Sequence, residues 1–108
     1  MKTILKRHRR ADNNAALIDA SASGDVAEVD RLLQGAFIDV HADNNAVLRM
    51  ALRFASQNGH VAVVRRLLQV PGIGADDVRA HDNYALKWAM RNGHSAVVAL
   101  LRQVLLAR

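Results

Sequence analysis

Cysteine is absent from this chain and proline occurs once. The first absence excludes disulfides and thiolate metal sites and fits a reducing cytosol. The second favours helix over a turn-rich β fold. Aromatic residues make up only 4% of the sequence although hydrophobic ones make up 51%, so the core must be built from Ala, Val and Leu. Ala suits helices in close contact, because it lets backbones approach and has the best helix propensity. No apolar run reaches the roughly 20 residues that a membrane span needs. Met1-Lys2-Thr3-Ile4-Leu5-Lys6-Arg7-His8-Arg9-Arg10 opens like a signal peptide but lacks the apolar centre of one. The formal net charge is +5, mostly from arginine, which favours encounter with acidic proteins or nucleic acid.

What is present is a repeat. Ala51-Leu52-Arg53-Phe54-Ala55-Ser56-Gln57-Asn58-Gly59-His60 returns 34 positions later as Ala85-Leu86-Lys87-Trp88-Ala89-Met90-Arg91-Asn92-Gly93-His94. A weaker copy begins at Ala16, 35 positions before the first, and reaches Gly24-Asp25. Each copy leads into an apolar helical run, with Val63, Val64, Leu67 and Leu68 or Val97, Val98, Leu100 and Leu101 at i, i+3, i+4 spacing. Gly24, Gly59 and Gly93 stand where a helix ends in a left-handed residue. A fixed period of this length marks stacked units that share a core. The expected fold is all-α: a helix-turn-helix repeat solenoid of three stacked units joined by extended connector loops.

The connectors match as well. Val40-His41-Ala42-Asp43-Asn44-Asn45 aligns with Val78-Arg79-Ala80-His81-Asp82-Asn83. Asn and Asp favour turns there because they bond the nearby backbone and tolerate positive φ, and Asn14, Asn45 and Asn83 occupy N-cap positions. One irregularity stands out: unit two carries four extra residues, Val47-Leu48-Arg49-Met50, ahead of Ala51. Four residues make about one helical turn, so they predict a longer first helix in that unit. A loop insertion is the weaker alternative, since the residues are mostly apolar. The division expected is a basic N-terminal segment, 1–10, and one domain, 11–108, with repeats at about 11–41, 42–79 and 80–108.

These spacings resemble the ankyrin repeat. Leu86, Ala89, Gly93, His94, Val97, Val98, Leu100 and Leu101 fall on its pattern, as do Leu52, Ala55, Gly59, His60, Val63, Val64 and Leu67, and in unit one Leu17, Ala20, Gly24, Val29, Leu32 and Leu33. The tetratricopeptide repeat shares the period, but its longer, near-equal helices fit the early Gly-His turn badly. The sequence also departs from the ankyrin pattern: the Thr-Pro opening becomes Ala15-Ala16, Met50-Ala51 and Tyr84-Ala85, and the next His becomes Ile18, Arg53 and Lys87. The resemblance implies that His60 and His94 tie turns together by hydrogen bonds, and that the chain is a protein-binding module.

No catalytic constellation is legible. His41 and His81 lack a short ligand spacing, and Pro71-Gly72-Ile73-Gly74 lacks the Lys of a phosphate loop. An enzyme is not expected, nor any metal or cofactor. Phe54 and Trp88, equivalent in successive units, read as packing between units. Partner binding is expected at the connector tips and first helices, through His41, Asp43, Asn44, Arg49, Arg53, Gln57, Arg79, His81, Lys87 and Arg91. The partner would be a protein with an acidic surface, since arginine grips carboxylates bidentately. The alternative is nucleic-acid or acidic-surface binding through Lys6, Arg7, Arg9 and Arg10. The expected location is cytoplasmic, or a host cytosol for a secreted effector. Without a helix breaker after Val104, the last helix should run almost to the end with an apolar stripe (Val97, Leu101, Val104, Leu105), part of it covering the shared core and any remainder open to weak self-association, a partner or a further repeat.

Overall fold

The computed structural model describes the backbone of residues 2–35 and 42–107 and the side chains of residues 12–35 and 45–107. Among these residues there are six helices and no strand: α1 (Lys2–Ser23), α2 (Val26–Gln34), α3 (Ala42–Asn58), α4 (Val61–Leu68), α5 (Ala75–Arg91) and α6 (Ser95–Leu106). They pair into three units stacked in chain order. Each first helix packs on the next first helix (α1, α3, α5) and each second helix on the next second helix (α2, α4, α6). The outline is elongated, 47 × 26 × 20 Å.

The core follows the apolar periodicity. Leu17, Leu48, Leu52, Val29, Val63, Val64, Leu67, Val78, Val97 and Leu101 are fully enclosed, with Ala51, Ala55 and Ala89 keeping the first helices close. Within each unit the turn is the same. Gly24, Gly59 and Gly93 have φ of 84°, 77° and 75°. The following N–H groups, of Asp25, His60 and His94, donate back to Ala20, Ala55 and Ala89, each at 2.9 Å. That is the bond pattern by which a glycine closes a helix and satisfies its last carbonyls.

Between units the tie is an imidazole. His60 Nε2 lies 2.9 Å from the Ala22 carbonyl and His94 Nε2 3.1 Å from that of Gln57. A carbonyl can only accept, so Nε2 carries the proton in both rings. Asn58 and Asn92 donate to the same two carbonyls at 2.8 and 2.9 Å. In unit one the matching residue, Asp25, instead caps its own helix by accepting from the Glu28 N–H at 3.1 Å. Arg66 on α4 reaches Asp30 on α2 at 2.8 Å and joins the second helices.

The inserted turn of unit two is helical, and Leu48 within it is part of the core. Three local features differ from expectation. Helix α1 begins at Lys2, so residues 2–10 continue it and Asn14 lies inside a helix instead of capping one. Nothing between Lys2 and Ser23 is Gly or Pro to stop it, and Lys and Arg are good helix formers. The second connector is not extended. It forms the first turns of α5, then passes through Ala80 (ψ 145°) and a left-handed run, His81, Asp82 and Asn83, with φ of 55° to 60°. Asp76 and Asp77 in that first turn suit the positive end of a helix, which is why the connector coils. At the C-terminal end Val97 and Leu101 are buried and Val104 and Leu105 pack on the core, which leaves Leu106 and Met90 as the exposed apolar residues there.

The interlock predicts unequal glycines. A Cβ on Gly59 would collide with the His94 ring, and one on Gly24 would sit 2.6 Å from His60 Nδ1, whereas Gly93 has nothing within 4 Å. All three share the left-handed strain of roughly 1–2 kcal/mol for a residue with a Cβ. Gly59→Ala adds overpacking of about 1–3 kcal/mol. In urea unfolding, Gly59→Ala should therefore lose clearly more stability than Gly93→Ala; equal losses would contradict the interlock.

Candidate functional site: an arginine–aromatic ladder on the first helices

On α3 and α5 one face of each first helix is turned about 100° from the core stripe, since consecutive helical residues are that far apart. Phe54 and Trp88, each one residue before a buried Ala (Ala55 and Ala89), occupy that face and are only half-buried. They do not join the core cluster as expected for packing between units; each carries an arginine instead. The Arg53 guanidinium lies 5.0 Å from the Phe54 ring centre and 4.8 Å from that of Tyr84. Tyr84 and Trp88 are 5.7 Å apart and tilted by 40°. Arg91 covers Trp88 at 5.2 Å. The order is Phe54, Arg53, Tyr84, Trp88, Arg91, spanning two units. A cation over an aromatic face is held by the ring quadrupole, and the contact strengthens as water is excluded.

The Tyr84 hydroxyl donates to Gln57 Oε1 at 3.2 Å, which fixes the middle ring. Arg53 Nε is buried and has no hydrogen-bond partner among the described residues, whereas its terminal nitrogens are not enclosed. Arg53 and Arg91 have no carboxylate partner there either, unlike Lys87, which donates to Asp82 at 2.8 Å. That pair is largely exposed, and its hydrogen bond to Lys87 holds the Asp82 carboxyl below its ordinary pKa.

Arg49 faces a different task. Its Nε donates to Asp77 Oδ1 at 2.8 Å, and Asn45 Nδ2 donates to the same oxygen at 3.0 Å. Asp77 Oδ2 accepts from the Gly74 N–H at 2.9 Å. Burial raises the pKa of Asp77, but the hydrogen bonds from Arg49, Asn45 and Gly74 and the Arg49 charge outweigh it, and the net value is lowered. This node clamps the inserted turn of unit two to the start of α5.

Of the residues expected to bind a partner, Arg53, Gln57 and Arg91 are joined through Tyr84 and Trp88. Lys87 stands beside them, tied to the connector, and Arg79 and His81 are exposed on the connector itself. Arg49 is turned to Asp77. His41 lies outside the described residues, as do the side chains of Asp43, Asn44, Lys6, Arg7, Arg9 and Arg10. Tyr84 was missed. Its i, i+4 spacing to Trp88 in so aromatic-poor a chain was the available signal. Among the described residues, no group of three or more His, Asp or Glu could hold a metal ion, and no helix is long and apolar enough to cross a membrane.

Stacked helix pairs, tied turn to turn, define an all-α helical-repeat stack. The family model for ankyrin repeats (3 copies) matches residues 17–104. The chain belongs to the ankyrin repeat family. No solved structure matches it.

The Asp77 node gives a prediction with a defined sign. A carboxyl whose folded pKa is depressed stabilises fully above its unfolded value, ~3.9 for aspartate. That contribution is lost as pH falls through the folded value. Asp77→Ala should destabilise by about 3 kcal/mol at pH 7, because Arg49 is left without its partner. Asp77→Asn should unfold in urea with a weaker dependence on pH below about 4 than the wild type. Parallel acid dependence in the two proteins would remove Asp77 from the account.

Proposed function

We propose that this chain is a non-enzymatic binding module that holds an acidic protein partner on its first-helix face and second connector. Ankyrin repeats generally mediate protein–protein interaction. The observation that carries the finer reading is that Arg53 and Arg91, which have no carboxylate partner among the described residues, lie over aromatic rings outside the buried core cluster. Lys87 adds charge beside them, and Arg79 and His81 extend the surface along the connector. The left-handed run at His81, Asp82 and Asn83 supports the connector as part of the surface, since such backbone tends to sit where binding needs a fixed shape. The residues implicated beyond this set are Asp43, Asn44 and His41 of the preceding connector, and the setting proposed is the cytosol.

Charge reversal tests the reading. Lys87 and Arg91 are exposed, and exposed charges contribute little to stability. The double variant Lys87→Glu, Arg91→Glu should keep its helical circular-dichroism signal and lose a partner isolated from the source cell by affinity capture. Titration of that purified partner should also weaken as salt rises, because the contact is between charges near the surface. Unchanged affinity in the double variant would rule out the first-helix face.

A further inference from the structure

We infer that Arg53 is the specificity-determining residue of this face: held over Phe54 and Tyr84 with its Nε shut in, it selects an aspartate or glutamate carboxylate on an acidic segment of the partner. The inference rests on the first-helix reading proposed above and narrows it to one side chain and one acceptor chemistry.

A free arginine on a helix samples many rotamers and presents its donors in any direction. Arg53 is restrained, because its guanidinium lies over two rings at once, Phe54 at 5.0 Å and Tyr84 at 4.8 Å. Tyr84 is itself held by its hydrogen bond to Gln57. The Nε is shut in, so the edge left for a ligand is the one formed by the two terminal nitrogens. Two parallel N–H groups in one plane match the two oxygens of a carboxylate. Ordering this side chain in advance removes rotamer entropy that binding would otherwise lose.

The surroundings favour a short acidic segment over a continuous polyanion. Arg91 offers a second aromatic-mounted cation, separated from the first by the two rings of Tyr84 and Trp88. The repeat register puts exposed Asp19 in unit one at the place of Phe54 and Trp88, and exposed Asp76 and Asp82 flank the connector. A nucleic-acid backbone tracking across the units would meet these carboxylates. A peptide with two or three acidic side chains meets Arg53 and Arg91 alone.

A fluorescein-labelled hexaglutamate peptide serves as the probe, with anisotropy reporting affinity and the emission of Trp88, the chain's only tryptophan, reporting the site. The wild type should bind at low salt with a change in Trp88 emission. Arg53→Lys keeps the charge but loses the planar fork, and should weaken binding by roughly tenfold to a hundredfold, the equivalent of one charge-assisted hydrogen bond. Arg65→Lys, on the exposed side of α4, should leave binding unchanged. If Arg53→Lys lowers the helical signal, Phe54→Leu, which removes one of the two rings under the guanidinium, should show a loss in the same direction. Wild-type affinity in Arg53→Lys would overturn the inference, and so would failure of the wild type to bind the peptide. Displacement of the peptide by an equal concentration of single-stranded DNA would overturn the preference for carboxylates. If Lys87→Glu, Arg91→Glu abolishes binding while Arg53→Lys does not, the first-helix reading stands and the role of Arg53 falls.

Discussion

An imidazole laid over the glycine turn of the preceding unit holds this stack together. His60 over Gly24 and His94 over Gly59 each join a steric fit to a hydrogen bond, and an asparagine two residues earlier donates to the same carbonyl. The arrangement needs a residue without a side chain at the turn, both for its positive φ and for the room the ring takes. It also needs a donor at the start of the next second helix. Each hydrogen bond contributes about 1 kcal/mol, but the geometric effect is larger: it sets the distance and rotation between successive units. The alanines of the first helices then meet closely, and the second helices align so that Arg66 reaches Asp30.

The arginine–aromatic face of the first helices inherits its rigidity from this tie. Gln57 links the two: its backbone carbonyl receives His94 and Asn92, while its side chain receives Tyr84. The same residue that fixes unit three against unit two therefore fixes the middle ring of the ladder. Arg49 and Asp77 do similar work at the other end of α3, anchoring the start of α5. The cations of this surface are thus oriented in advance by fixed neighbours, and binding through them would lose less side-chain entropy.

Much of the fold was legible because its determinants are local. The glycine turns, the apolar stripes and the extra turn of unit two are all set within ten or so residues of chain, and the ankyrin resemblance assigned the histidines their ties. The Asn45 and Asn83 positions proved left-handed, as their residue types allow. The face was harder to read, because its contacts cross between units: Arg49 to Asp77 spans 28 positions and Tyr84 to Gln57 spans 27. Arg53 and Arg49 looked alike in sequence, four residues apart on one helix. Only the stack shows that one meets a buried carboxylate and the other two aromatic rings. Phe54 and Trp88 looked like packing residues because aromatic side chains usually are, yet their offset from the core leucines turns them outward. The long α1 and the helical connector escaped notice because Asn-rich stretches read as turns, while capping by Gly74 and Asp77 coils the second connector.

The most direct test of the inter-unit tie is urea unfolding of a double variant, His60→Ala with His94→Ala, followed by circular dichroism at several wavelengths and by Trp88 emission. The wild type should unfold in one transition seen alike by both probes. With the rings removed, the units should uncouple: the midpoint falls, the transition broadens, and Trp88 in unit three reports a different midpoint from the helical signal. A double variant that unfolds as one sharp, probe-independent transition near the wild-type midpoint would show that the stack is held by its apolar core alone.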